Sequence, residues 1–445
     1  MFTFILEHSP IFYFMQSFWR DEAFSALFAA KPLVWIIQNS SFDPPLYYIL
    51  LHFWELLFGQ SEIAVRSLSL FGFILSTYLV MLIAEKLFIK KWHQWFVTLL
   101  FFFNPMLLYY AFEARAYGWY IFFATLTIYG YIKKDWKLFI IGGILGFYNH
   151  LYSLLVPAIC TLHYITLETK NFFDKKTILK NPITRSVLII AAAILPWFIR
   201  FLFVADKFAY SWYFAVDFHL IQSVLGNMYT GYEGTPWYLW SVTKWISVAV
   251  LLLSTFAMIP KTHRKHAALF LGFVYIPLIS IIGISFIKPL FVNRYVIPVT
   301  IAEIFIIGYA ITSFKREGVQ RIAALCIFIM TLGFTFWYSD QHSKMDLKTP
   351  LNEINTLANE QDRIFADDPL IFLETLYYAK NRSHVYFYNP SGAVFPWFIG
   401  DALLEPNHIV TEFPPYPSRT FVVHRDGTYS IMYTLPLTYN KKRAL

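Results

Sequence analysis

The chain alternates long apolar runs with short polar breaks. Runs that could cross a bilayer fall at 2–19, 63–84, 94–112, 115–132, 137–149, 150–167, 186–204, 237–259, 267–287, 292–313 and 320–338. A span needs roughly 20 apolar residues, so the pattern predicts about eleven transmembrane helices, with the fifth and sixth short. Glu7, His8 and Pro10 interrupt the first run and shorten it. Between the first two runs, residues 23–37 and 45–58 place apolar positions at helical spacing. This predicts two helices lying in the interface, parted by Asp43-Pro44-Pro45. Beyond residue 338 the rhythm changes: "DRIFADDPLIFLETLYYAKNRSHVYFYNP" reads as strand, helix, strand, and "RTFVVHRDG" as a further strand. The expected fold is an all-α polytopic membrane domain over 1–338, with a first outer loop at 20–62, followed by a small α/β domain over 339–445. Within that domain Asp367-Asp368-Pro369 reads as a helix N-cap rather than a metal site.

Composition narrows the class. Of 445 residues, 57% are hydrophobic and 14% charged, more apolar surface than a soluble core can hide. The net charge of +8 does not indicate nucleic acid, because the basic residues occupy short loops between apolar runs. They cluster at Lys86/Lys90/Lys91, Lys133/Lys134/Lys137, Lys170/Lys175/Lys176/Lys180/Arg185, Lys261/Arg264/Lys265 and Lys315/Arg316/Arg321. With the predicted spans, all five fall on one side, which the positive-inside rule makes cytoplasmic. The expectation is a multi-pass plasma-membrane protein with its N-terminus inside and its α/β domain outside. Cys160 and Cys326 lie in apolar runs and offer neither a disulfide framework nor a thiolate metal site.

The unusual charges gather on the outer face. Asp21 and Glu22 open the first outer loop, and as helical neighbours they point about 100° apart, which suits separate roles. Glu113 and Arg115 sit at the turn before "YGWY", where an arginine can bind phosphate through two parallel hydrogen bonds or merely snorkel. His150, after Asn149, is a ligand or a hydrogen-bonded interface residue. Arg294-Tyr295 is a second phosphate clamp or an interfacial anchor. Glu62 and Arg66, four apart, are expected to pair. Acids, arginines and a histidine around one face of a membrane protein are costly and mark function. No nucleotide-binding loop is present in the sequence, so the donor that fits is one already carried in the membrane: a sugar on a lipid phosphate. Its transfer needs a base for the acceptor hydroxyl and charge stabilisation for the leaving phosphate. A lipid or glycan flippase would also place charges in a cavity, and a scaffold would use its outer acids for partners only.

The stretch "FWRDEAFSA…DPPLYYILLHFWELLFGQSEIAVRSLS…FFFNPMLLYYAFEARAYGWY…YNHLYSLL", with "NRYVIP" later, resembles the predicted membrane-bound mannosyltransferases. These are relatives of protein O-mannosyltransferases and aminoarabinose transferases in the C-type (GT-C) glycosyltransferase superfamily. The resemblance implies an inverting transfer of a mannose-like hexose or a pentose from a polyprenyl-phosphate donor to a hydroxyl of a glycan, lipid or protein. It implies Asp21 as general base and Glu22 as an orienting residue. Arg115, with Arg294 and Tyr295, would hold the lipid phosphate, and Asp43, Glu113, Tyr117 and His150 would shape the site. Many relatives have His-Pro-Pro where this chain has Asp43-Pro44-Pro45. Some relatives use a divalent metal and others do not. Asp43 and His150 are the candidate ligands, and the sequence does not choose.

Overall fold

The computed structural model describes residues 9–40, 43–167, 178–203, 215–231, 239–339 and 343–435. The chain forms two compact units: one takes in residues 1–13, 40–47 and 66–341, the other 14–39, 48–65 and 342–445.

The first unit is helical. Among the described residues, six helices are long and apolar enough to cross a membrane: Glu62–Leu87, Pro182–Phe203, Trp240–Ala257, Arg264–Ser285, Asn293–Thr312 (a short 3-10 turn and then a helix) and Glu317–Trp337. Their surroundings differ. The most apolar window of Asn293–Thr312 is 89% buried, whereas that of Pro182–Phe203 is 17% buried. A helix apolar all round and buried is a core element, and one apolar but uncovered faces lipid.

The region 91–167 holds shorter helices: Lys91–Phe102, Pro105–Ala111, Tyr117–Lys133, Trp136–Asn149 and Leu155–Leu167. The predicted span 94–112 is therefore two helices. Asn104 makes the break: its side-chain oxygen accepts from Leu107 N at 3.1 Å, with Pro105 at the first helical position. Its amide also donates to Tyr229 O at 2.9 Å. The predicted loop 205–236 contains a helix, Phe218–Thr230, capped by Asp217 and buried from Ser223 to Thr230. Its mixed polarity hid it from a hydropathy window. Of the predicted first span, 2–8 lie outside the described residues, and 9–19 contain the single-turn helix Phe12–Met15. Two bonds tie the basic clusters into the unit: Lys90 Nζ donates to Glu317 Oε2 at 2.6 Å, and Lys265 O meets Nε2 of His163, on helix Leu155–Leu167, at 2.9 Å. Lys170, Lys175 and Lys176 lie outside the described residues.

The second unit contains the α/β domain and most of the first outer loop. That loop forms three helices, not two: Arg20–Ala29, Leu33–Asn39 and Leu46–Phe58, the last entering this unit at Tyr48. The described strands, β1 (Arg363–Ala366), β2 (Val385–Tyr388), β3 (Ile409–Val410), β4 (Thr420–Val423) and β5 (Tyr429–Met432), form one sheet in the order β3-β2-β1-β4-β5. The first four run parallel, and β5 is antiparallel to β4, with Val422 opposite Ser430. β4 is buried throughout, as a central parallel strand covered on both faces should be. Asp368 caps the turn Pro369–Ile371, accepting from Leu370 N at 2.7 Å, as the sequence predicts. The helix Phe372–Tyr378 follows and packs on Arg20–Ala29. The tie is specific: Phe18 N donates to Tyr378 Oη at 2.6 Å, and the Phe18 and Tyr377 rings lie 4.9 Å apart. Glu62 pairs with Lys348 Nζ at 2.7 Å and accepts from Tyr378 Oη at 3.1 Å, partners the sequence reading did not foresee.

Candidate active site

The candidate residues divide between the two units. In the helical unit, Arg115 lies in the turn between helices Pro105–Ala111 and Tyr117–Lys133. Its carbonyl accepts from Ser69 Oγ at 2.8 Å, which pins the turn to helix Glu62–Leu87. The approach is close enough to require glycine at 118, where an added Cβ would fall 2.1 Å from Ser69 O. The Arg115 guanidinium, 15% exposed, donates to Asp43 Oδ2 at 3.1 Å. Glu113 is buried in the same turn, and its carbonyl accepts from Arg115 N at 2.7 Å.

His150 ends helix Trp136–Asn149 and stacks on Tyr120, with centroids 4.5 Å apart and planes within 11°. Tyr117, Tyr152 and Tyr295 close around the same ring at 5.9, 5.9 and 5.3 Å. The charges of Asp43, Arg115 and Arg294 all reach His150. Tyr120 Oη donates to Tyr295 O at 3.0 Å, and Asn149 Nδ2 to Ala116 O at 3.0 Å. Arg294 itself is buried, on the turn that opens the most covered long helix. This unit thus brings together Asp43, Glu113, Arg115, Tyr117, His150, Arg294 and Tyr295. Two guanidiniums, two carboxylates (half-exposed Asp43 and buried Glu113), phenols and an imidazole thus share one region of this unit.

The same donors do not fit a divalent metal. Asp43 is engaged by Arg115, His150 is stacked among tyrosines, and the two arginines repel a cation. Among the described residues no three His, Cys, Asp or Glu side chains are placed to hold one ion together.

In the second unit, Asp21 and Glu22 diverge as their spacing predicts. Glu22 is fully buried; its Oε2 meets Lys344 Nζ at 2.8 Å and the Trp19 N–H at 3.4 Å, reaching back over the first turn of its helix. Asp21 keeps 13% of its side chain exposed, and its Oδ1 accepts from Arg20 Nε at 2.8 Å. Glu22 serves the packing of the loop, and Asp21 is the acid left facing solvent.

Two acids escaped the sequence reading. Glu374, on helix Phe372–Tyr378, is 5% exposed, with Oε2 buried and lacking a hydrogen-bond partner among the described residues. Burial pushes its pKa up to about 8, against the pull of its own N–H and of Arg20. The only acid in the apolar run "PLIFLETLYYA" was the available signal. Glu303 lies mid-way along the covered helix Ile297–Thr312, fully buried, with both oxygens lacking partners among the described residues.

The fold, an apolar helical unit with a small C-terminal α/β domain, is one that solved membrane-protein structures share. Among solved structures, the chain is similar to ArnT from Cupriavidus metallidurans in the apo state. Identity is 12% and the TM-score 0.63, over 90% of this chain and 88% of that one. It is similar also to ArnT from that organism bound to undecaprenyl phosphate, with 12% identity and a TM-score of 0.62, over 91% and 87% of the two chains. No family model matches the sequence, and neither does any curated protein. At this identity the likeness is one of fold.

Proposed function

We propose that this protein is a membrane glycosyltransferase that moves a sugar from a polyprenyl-phosphate donor to an acceptor hydroxyl on the extracytoplasmic side, with inversion. The observation that supports the reading best is the arginine pair, half-buried Arg115 and buried Arg294, held among tyrosines at helix ends of an apolar bundle. A lipid phosphate is the anion that such a bundle meets. ArnT, whose fold this chain shares, has been solved with undecaprenyl phosphate bound.

In this reading Asp21 takes the acceptor's hydroxyl proton, the acceptor oxygen bonds to the anomeric carbon, and the bond from that carbon to the phosphate oxygen breaks. Charge accumulates on the departing phosphate, where two guanidiniums are worth most. A mannose-like hexose and a pentose both satisfy this chemistry. Incubation of purified protein with a labelled polyprenyl-phosphate sugar tests it: release of polyprenyl phosphate with label on the acceptor is expected, and an intact donor would overturn it. The basic loops support an inside N-terminus. Ile89→Cys should then resist an impermeant thiol reagent in intact cells and Val394→Cys should react, both positions being about nine-tenths exposed.

A lipid or glycan flippase is the second reading, and Glu303 is what favours it, since an ionisable group buried mid-span is a frequent mark of a transport pathway. Movement of labelled polyprenyl-phosphate sugar across proteoliposomes with the glycosidic bond intact would select it.

A further inference from the structure

Glu374 has no part in the chemistry above, and its placement calls for one. It belongs to the α/β domain, on helix Phe372–Tyr378, which packs against the helix that begins at Arg20. Its carboxyl faces the Arg20 backbone N–H and lies in electrostatic contact with the side chains of Arg20 and Asp21. One carboxyl oxygen is sealed from solvent without a partner among the described residues. An ionised carboxylate would leave that oxygen charged and unsatisfied, a costly arrangement that a proton relieves.

The other charges near this helix are occupied. Glu22 pairs with Lys344, and Lys348, on helix Lys348–Leu357, pairs with Glu62. Glu353 on that helix is exposed. Arg363, on β1, donates to the carbonyls of Glu360 and Asp362. Asp368 caps its own turn and faces Arg425 at 3.6 Å, while β2 carries no charge. Arg20 and Asp21 are therefore the charges that Glu374 and its surroundings set against each other.

We propose that Glu374 is a positioning residue for Asp21: a neutral carboxylic acid, supplied by the α/β domain, that leaves Asp21 as the carboxylate paired with Arg20. This rests on the assignment of Asp21 as base. With Glu374 protonated, Arg20 stays with Asp21 at 2.8 Å and the helix start remains packed. Once Glu374 ionises, two carboxylates compete for one guanidinium, and the acid that must meet the acceptor is displaced.

The sign of the pH dependence follows. The folded protein holds this proton up to about 8, whereas an unfolded chain releases it near the ordinary 4.5. The associated stability is complete below 4.5 and is lost as pH rises through about 8.

Two measurements on the full-length purified protein test the proposal. Sugar transfer at saturating donor should fall about tenfold from pH 7 to pH 9 in the wild type. Glu374→Gln should flatten that fall and leave the donor KM in place. A purely structural glutamate would change yield or the height of the profile, not its alkaline midpoint. Independently of transfer, the wild-type melting temperature should decline between about pH 4.5 and 8 more steeply than that of Glu374→Gln. Should that variant not fold, an infrared band of a protonated carboxyl, lost as pH rises through about 8 and retained in Glu55→Gln, which removes the other buried acid held up to about 8, gives the same answer. Superimposable pH profiles and melting curves, or no such band, would overturn the proposal. If no transfer occurs in any preparation, the glycosyltransferase reading falls, and with it the positioning role. A steep wild-type melting curve would then uphold only the neutral acid.

Discussion

The helical unit and the α/β unit treat their carboxylates in opposite ways. Around Arg115 the half-exposed Asp43 shares its surroundings with Arg294, buried Glu113 and phenols, and under the proposed function it gives way to the donor phosphate. Around Asp21 each acid has its own environment: Glu22 has Lys344, Asp21 has Arg20, and Glu374 is held by burial. The first arrangement suits binding and release of a charged group. The second suits a fixed proton acceptor. Binding and proton transfer should therefore respond separately to mutation.

The largest effect belongs to Asp21. Asp21→Asn should lower turnover by about 10²–10⁴-fold while donor affinity holds, because the amide keeps the size but cannot take the proton. Wild-type turnover in folded variant protein would remove Asp21 from the reaction. Next comes Glu22→Ala, which removes the fully buried carboxylate that meets Lys344 and should cost about 3–5 kcal/mol of stability. Denaturant unfolding beside the rate of the surviving folded fraction separates this loss from catalysis. If the rate per folded molecule collapsed instead, Glu22 would belong with the reacting groups.

In the other unit, Arg115→Ala should weaken polyprenyl-phosphate binding by about 1.5–3 kcal/mol, with Arg115→Lys intermediate because it keeps charge and loses the fork. Equal, unchanged affinity in both would make Arg115 an anchor. The smallest change is Gly118→Ala. A methyl aimed at Ser69 O should cost about 1–3 kcal/mol and loosen the phosphate through the Arg115 turn, read as a raised donor Kd at unchanged Asp21 chemistry.

Hydropathy made the long lipid-facing helices legible because each is apolar along its length. It failed where a polar residue does local work inside an apolar run. Asn104 spends its side chain on a cap and on Tyr229, and no window average records a cap. Helix Phe218–Thr230 was lost because Gln222, Ser223 and Asn227 lower its mean, although its later half is buried. In the candidate site, Arg115, His150 and Arg294 stood out as charges at span ends. The aromatic enclosure by Tyr120 and Tyr152 did not, in a chain where every turn carries rings. Glu374 and Lys344 lie more than 320 residues from Asp21, and only folding pairs them with the first loop.

The short helices near the arginine site have a consequence for the surrounding lipid. Trp136–Asn149 has 14 residues and Tyr117–Lys133 has 17, against 26 in Glu62–Leu87. At about 1.5 Å per residue the first two extend roughly 21 and 25 Å, less than a hydrocarbon slab of about 30 Å. Hydrophobic mismatch of this size thins the bilayer beside the protein. His150 and Arg115 stand at the ends of these two helices, and headgroups drawn down on that flank would meet them. Under the proposed function, a phosphate tethered to a long prenyl tail would then reach the arginines without leaving the depth its tail prefers. Reconstitution in lipids of increasing acyl length should accordingly slow donor capture in steps, while the same series leaves a water-soluble phosphate ligand indifferent.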